Sequence, residues 1–344
     1  MGVSLKGLYE GQSLKIDTLS RKVVAVDAYN ILYQFLTTIR GYDGGQLMNS
    51  KGMVTSHIQG LFSRVAALMQ FDIKLVFVFD GKPPKLKQGT LDGRRGRKDE
   101  AAQKYAAALA AEDIKGMSTY ARQTTVLTKE MAQQAQDLLK LMGIPVIVAP
   151  SEGEAQAAHM CKQGDVDFVA SQDADALLFG APVIVRNLSI TGRRKLPGKS
   201  QWVVVEPKKI VLQDVLNDLK INQQQLLWLA MLVGTDYAPG GVKGIGPKNA
   251  IKLVKEFNDK PDELFQKVEW DTHQSVPWQE ILEVFTHMPI TNDYILEWIE
   301  PDYEAIQELM ESTYEFSADR IAKTLNDLKK HRTSSQQQGL GDFF

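Results

Sequence analysis

Lys22-Val-Val-Ala-Val-Asp27 is an apolar run closed by an aspartate, and the pattern returns in Lys74-Leu-Val-Phe-Val-Phe-Asp80 and Val166-Asp-Phe-Val-Ala-Ser-Gln-Asp173. Runs of β-branched and aromatic residues with polar ends suit strands covered on both faces. Ile144-Pro-Val-Ile-Val148 and Gln201-Trp-Val-Val-Val205 are two further strand candidates. Helical periodicity falls between them, from Thr55 to Met69 and from Lys129 to Met142, the latter closed by Gly143 and followed by Pro145. Alternating strands and helices predict an α/β fold with a central, mostly parallel sheet flanked by helices. Ligands of such sheets bind beyond the carboxyl ends of the strands. That rule gives the three strand-terminal aspartates one shared location.

Outward from these strands the alternation breaks between Gly81 and Arg122. The stretch opens Gly81-Lys-Pro-Pro84, runs through Lys82, Lys85, Lys87, Arg94, Arg95, Arg97 and Lys98 against the single acid Asp92, then turns Ala-rich to Ala111. It reads as helical material rising off the sheet. Gly89, Gly93 and Gly96 weaken a helix there by roughly 1 kcal/mol each against Ala, so residues 85–98 are expected to be mobile without a ligand. Arg193, Arg194, Lys195 and Lys199 form a second basic stretch. From Asp214 onward the pattern is mainly helical, and Ser334 to Gln338 reads as a polar linker.

The 344 residues suffice for a sizeable core, and the net charge of −2 does not by itself advertise nucleic-acid binding. A carboxylate-rich site beside a basic track would balance to such a value. Cys161 is the only cysteine, which excludes an internal disulfide and a cysteine cluster for zinc. No apolar run is long enough to cross a bilayer, no signal peptide is visible, and Lys6 breaks a myristoylation pattern. The expectation is an intracellular, cytoplasmic protein.

Seven acids carry the candidate chemistry: Asp27, Asp80, Glu152, Glu154, Asp173, Asp175 and Asp236. Singly, each has a bland reading, as a turn residue after a strand or as an acid in a first helical turn. Together they need a counter-ion, because like charges gathered at one sheet edge repel. Hard divalent cations take oxygen ligands, and two of them can clamp the attacking and leaving oxygens of a phosphodiester displacement. The scattered histidines add little, and His159 reads as a packing residue.

Several stretches make the chain resemble the flap endonucleases of the archaeal and eukaryotic type, within the 5′-nucleases. They are Val26-Asp27-Ala-Tyr-Asn-Ile-Leu-Tyr33, Phe77-Val-Phe-Asp80-Gly-Lys-Pro-Pro84, Ala149-Pro-Ser-Glu152-Gly-Glu154-Ala-Gln156, Ser171-Gln-Asp173-Ala-Asp175 and Gly234-Thr-Asp236-Tyr, with the opening Met1-Gly-Val-Ser-Leu-Lys-Gly-Leu. The resemblance implies a PIN-like fold and a site for two Mg2+ ions, with Mn2+ able to substitute, lined by all seven acids. It implies that Lys87 and Arg94 are basic gateway residues. Their spacing of two helical turns independently puts them on one face, for charge stabilisation or for plain phosphate contact. Tyr33 is read either as a platform under the base beside the scissile phosphate or as a core-facing aromatic. Arg40 and Arg64 match DNA-contact positions, as do Glu152, Gly234 and Asp236.

Gly241-Val-Lys-Gly244-Ile-Gly246-Pro-Lys-Asn-Ala250 looks like a helix-hairpin-helix, with Lys243, Gly244, Gly246 and Lys248 at a DNA backbone and K+ as a candidate ion there. A P-loop and a dinucleotide fingerprint both fail in this stretch. At the C-terminus, Gln337, Leu340, Phe343 and Phe344 resemble a peptide that docks on a sliding clamp. Leu340, Phe343 and Phe344 share one side of a helical turn. The chain stops there, which favours the archaeal type.

The implied division is a nuclease region at 1–98, the rest of a helical arch at 99–122, an intermediate nuclease region with the hairpin at 123–258, a helical region at 259–332 and the tail at 333–344. The expected activity is magnesium-dependent cleavage of 5′ flaps on branched DNA, with 5′-3′ exonuclease activity, in replication and repair, by a nucleoid-associated monomer. The rivals are a sister nuclease acting on bubbles or four-way junctions, an RNA-directed nuclease, and a non-catalytic scaffold bound to the clamp.

Overall fold

Along the apolar runs, successive side chains alternate between two buried faces, so each strand feeds two cores at once. The computed structural model describes residues 5, 7–41, 45–111, 113, 116, 119–120, 123–190, 192–195 and 202–341, by backbone alone at 190, 193–195 and 333–341. Its strands are β1 (Gln12–Ser13), β2 (Val23–Asp27), β3 (Lys74–Phe79), β4 (Val146–Val148), β5 (Phe168–Ala170), β6 (Val183–Arg186), β7 (Gly192–Lys195), β8 (Trp202–Val205) and β9 (Lys208–Val211). Helices α1 (Ala28–Thr38), α2 (Ser56–Met69), α3 (Gln88–Ala110), α4 (Lys129–Leu141), α5 (Gly153–Gln163), α6 (Asp175–Leu178), α7 (Leu212–Leu219), α8 (Gln223–Val233) and α9 (Pro247–Phe257) precede a helical C-terminal part that ends in Ala318–Gly341.

Seven strands form one sheet in the order β1-β9-β6-β5-β2-β3-β4. The block from β6 to β4 is parallel, and β9 and β1 add antiparallel pairs at one side. Ala25, Val76, Val78 and Val169 face one core, with Ala157 and Met160 of α5 and Leu229 of α8. Val24, Val26, Leu75, Phe77 and Phe79 face the other, with Leu32 of α1, Leu61 of α2, Leu138 of α4 and Leu325 of the last helix. No described helix is long and apolar enough to cross a membrane.

Two expectations are corrected. The candidate strand Gln201 to Val205 is not covered over its described part: among the described residues β8 (Trp202–Val205) pairs with β7 alone, in a separate antiparallel sheet, and Trp202, Val203 and Val204 are exposed. The strands that complete the main sheet are β1, β6 and β9: β1 and β9 are short and polar or mixed in pattern, and β6 is a short, mostly apolar run of four residues. Ser334 to Gln338 is no linker by its backbone but continues the last helix to Gly341. The stretch holds no helix breaker, and propagating an existing helix is easier than starting one. The helical reading of the stretch after Gly81 agrees with the structure, in which α3 runs unbroken through its glycines. Gly89, Gly93 and Gly96 share one face, where an added Cβ would meet only open space. Ala101 and Ala108 are its buried residues, so polar contacts at its first turns carry much of its anchorage.

At the carboxyl ends of β3 and β4 the backbones close together. The Gly81 N–H donates to Ser151 O at 2.7 Å and the Lys82 N–H to Pro150 O at 3.2 Å. A Cβ at Gly81 would stand 2.0 Å from the Ala149 carbonyl oxygen. Gly81→Ala is therefore expected to destabilise the protein by about 1–3 kcal/mol, the usual range for overpacking. Gly93→Ala should be neutral or stabilising by up to about 1 kcal/mol through helix propensity. Urea unfolding of the two variants checks this, and equal midpoints would contradict the steric account.

Candidate active site

The floor of the cleft is built where parallel strands stop. Asp27 ends β2 and caps α1, its Oδ1 accepting the Asn30 N–H at 3.0 Å. Asp80 follows β3 and accepts the Gly153 N–H at 2.7 Å, at the start of α5. Glu152 stands at the N-cap position of α5 without capping it through its side chain, and Glu154 lies in the first turn. Ser171, just past β5, donates its hydroxyl to Glu154 at 2.9 Å and accepts the Asp173 N–H at 3.2 Å. Asp173 also accepts the Asn30 side-chain amide at 3.1 Å. Asp175 opens α6. Asp236 sits in the loop after α8, where Thr235 Oγ1 accepts the N–H groups of Tyr237 and Ala238.

Burial and crowding dominate the electrostatics. Asp27 is 7% exposed; burial, then the neighbouring Asp80 carboxylate, pushes its pKa up to about 8, against a lowering pull from the Asn30 N–H. Burial raises Glu154 well above the usual carboxylate range, helped by Asp175, Asp27 and Asp173. Burial also raises Asp80 and Glu152, and Lys87 partly offsets this in both. These mutual influences place the acids of five chain segments within one electrostatic neighbourhood.

The roof is α3 and the turn before it. Lys87 pairs with Glu152 and lies 3.5 Å from Asp236; Arg94 pairs with Asp236 at 2.5 Å. Burial opposes the charge on Lys87, yet the surrounding carboxylates raise its pKa overall. Thr90 donates its hydroxyl to the Asp236 carbonyl at 2.5 Å. Lys98 stands over the Tyr33 ring, 5.3 Å from its centre. Tyr33 is neither core-facing nor free: it is 37% exposed, and its hydroxyl donates to Thr125 O at 3.3 Å. Arg40 donates to Thr125 Oγ1 at 2.5 Å, so Tyr33 and Arg40 meet the chain at one residue. Arg64 is half-buried on α2, and burial lowers its pKa.

The glycine-rich stretch folds as a tight loop between α8 and α9. Gly234, Gly241 and Gly244 all have positive φ, and the Gln274 amide donates to the carbonyls of Gly241, at 2.6 Å, and Pro239. Lys243, Gly246 and Lys248 are exposed around the start of α9. In the tail, Gln337 and Leu340 lie on the backbone of the last helix, and Phe343 and Phe344 lie outside the described residues. Asn30, Thr90, Lys98, Ser171 and Gln274 were not singled out from the sequence. Only Asn30 left a signal there, as the third residue after an aspartate that begins a helix.

Among the described residues no three His, Cys, Asp or Glu side chains close into a ready-made cage. Glu152 and Asp236 are turned to Lys87 and Arg94, while Glu154 and Asp173 are held by Ser171 and Asn30. An open, all-oxygen and strongly acidic cleft nevertheless fits hard divalent cations, which keep several waters and need only one or two carboxylates each besides phosphate.

Residues 1–101 match the family described as XPG N-terminal domain, and residues 143–236 match the XPG I-region. The whole chain is 48% identical to flap endonuclease 1 of Thermofilum pendens, covering 99% of it, and 47% identical to that of Pyrococcus abyssi, covering 98%. Among solved structures it is similar to flap endonuclease-1 from Methanococcus jannaschii, at 39% identity and a TM-score of 0.76, over 97% of this chain and all of that one.

The raised carboxyl groups give a testable pH dependence. A carboxyl whose folded pKa lies above its unfolded value holds an extra proton in the folded state, so the stability it contributes is lost as pH rises through the folded value. With a chelator present, Tm should therefore fall as pH climbs from about 4 to about 8, between the ordinary and the folded value of Asp27, and level off above that. Added divalent cation should raise Tm more at the upper end, where these acids are ionised in either case. Calorimetry with and without Mg2+ checks this; a cation effect that does not grow with pH would contradict the buried-acid account.

Proposed function

The chain belongs to the flap endonuclease family, and on that premise we propose that this cleft hydrolyses DNA phosphodiesters with two divalent cations held among Asp27, Asp80, Glu152, Glu154, Asp173, Asp175 and Asp236. As a structure-specific flap endonuclease it acts on branched DNA in replication and repair. The observation that carries the mechanistic reading is the opposition of the acidic floor to Lys87 and Arg94 across one cleft. Bound Mg2+, or Mn2+ in its place, supplies an activated water and neutralises the oxygens of the reacting phosphate.

Lys87 and Arg94 exchange carboxylate partners for the scissile phosphate. There they stabilise the charge that develops as the bond breaks. Tyr33 offers its ring to the adjoining base once Lys98 withdraws, and a base–aromatic stack is worth about 1–3 kcal/mol. Arg40 and Arg64 hold phosphates beside this platform. The loop of Gly234, Gly244 and Gly246 brings the start of α9 to a duplex backbone, where free N–H groups, Lys243 and Lys248 bind phosphate without reading sequence. The loop's carbonyls are the seat for K+. Gln337, Leu340, Phe343 and Phe344 form the tag for a sliding clamp.

Cleavage of end-labelled 5′-flap, bubble, four-way-junction and plain duplex DNA, with Mg2+ and then with chelator, tests the reading. Release of the intact flap should require the metal and disappear in Asp175→Asn with flap binding retained. Lys87→Ala should lower kcat by about 10²–10³, the usual effect of removing one transition-state donor. Tight flap binding without cleavage under any metal would move the assignment to a scaffold. The double change Phe343→Ala, Phe344→Ala should abolish co-sedimentation with a sliding clamp and leave cleavage of free flap DNA intact. An undiminished clamp complex would remove the tail from the assignment.

A further inference from the structure

Resting on that reading of the cleft, we propose that Asn30 is a positioning residue that fixes the spacing of Asp27 and Asp173 and so sets how tightly the cleft takes a divalent cation. Asn30 touches both acids: its backbone N–H donates to Asp27 Oδ1 at 3.0 Å, and its side-chain amide donates to Asp173 Oδ2 at 3.1 Å. The two carboxylates stand at neighbouring parallel strands, Asp27 at the end of β2 and Asp173 in the loop after β5, with Val26 opposite Ala170. Their charges repel, so the geometry between them needs a tie. Lys87 ties acids by lending a positive charge, which a cation must displace. The amide of Asn30 ties them while remaining neutral, so it has no need to leave when a cation arrives.

The grip is braced from behind. Gln34, one helical turn after Asn30 and on the same face of α1, accepts the Ser189 hydroxyl, which in turn accepts the Gln172 side-chain amide at 3.3 Å. Helix α1 thus holds the loop after β5 at two successive residues, Gln172 through Ser189 and Asp173 directly. A small cavity of about 20 Å³, bordered by Asn30, Gln172 and Ser189 on one side and by Ile31 and Val65 on the other, has room for one water. Hydrogen-bond partners of metal-ligating carboxylates typically govern affinity or activity by about 10–100-fold.

The test is Mn2+ binding to the DNA-free full chain, followed by calorimetric titration, beside the Mg2+ dependence of flap cleavage and Tm in the same samples. Asn30→Ala, and Asn30→Leu which keeps the volume, should weaken Mn2+ binding about tenfold or more. They should raise the Mg2+ concentration for half-maximal rate by a similar factor and recover most of the wild-type kcat at saturating Mg2+. A variant with wild-type Tm and unchanged Mn2+ affinity overturns the proposal alone, as does a kcat loss that saturating Mg2+ leaves in place. A wild-type chain that binds no Mn2+ overturns the cleft reading, and the proposal with it.

Discussion

Two unit negative charges 4 Å apart repel by about 4 kcal/mol at an effective dielectric near 20, and this molecule gathers its carboxylates from five segments into one half-buried cleft. The cost shows in the raised pKa values of Asp27, Asp80, Glu152 and Glu154, with burial as the first cause in each. Everything around the sheet's carboxyl edge answers that repulsion in one of two ways. Neutral donors such as Asn30 and Ser171 and the Gly153 N–H hold acids in place from below. Cations on the roof, Lys87 and Arg94, meet acids from above.

The two halves differ in how they are held. The floor hangs on strands whose alternate side chains fill two cores, so its acids are carried by the best-packed part of the chain. Helix α3 buries little beyond Ala101 and Ala108 and exposes a glycine face to open space. Segments with few buried apolar contacts open locally at low cost. A rigid floor under a weakly packed roof suits a substrate that has to enter between them, since the roof's ion pairs can re-form on phosphate.

Much of this was legible in sequence. A strand covered on both faces writes itself as an unbroken apolar run, and the aspartate after it falls at the ligand edge by the topology of parallel sheets. Asp27 and Asp80 could be placed on that basis alone. Gln201 to Val205 was misplaced for the same reason, because β-branched residues also suit an exposed hairpin, and composition does not say whether anything covers them. Contacts across the chain were invisible: nothing near Lys98 in sequence points to the Tyr33 ring, and nothing near Ser171 points to Glu154. Asn30 was in view but unread, since its partner Asp173 is 143 positions away.

Charge balance joins the two halves into one device. With the proposed pair of dications, the seven carboxylates remain three charges in excess when fully ionised. Lys87 and Arg94 remove two of these and leave one, since carboxylates that hold a cation are ionised. A phosphodiester adds another negative charge, so its entry is acceptable only where both roof cations stay within reach while releasing their carboxylates. Arg94 and Lys87 both converge on Asp236, the acid carried by the loop that leads into the glycine-rich hairpin. The side chain that binds both roof cations thus belongs to the segment proposed to grip the duplex. In the proposed reading, one short stretch, Gly234 to Gly246, therefore carries both the duplex grip and the acid that holds the roof cations.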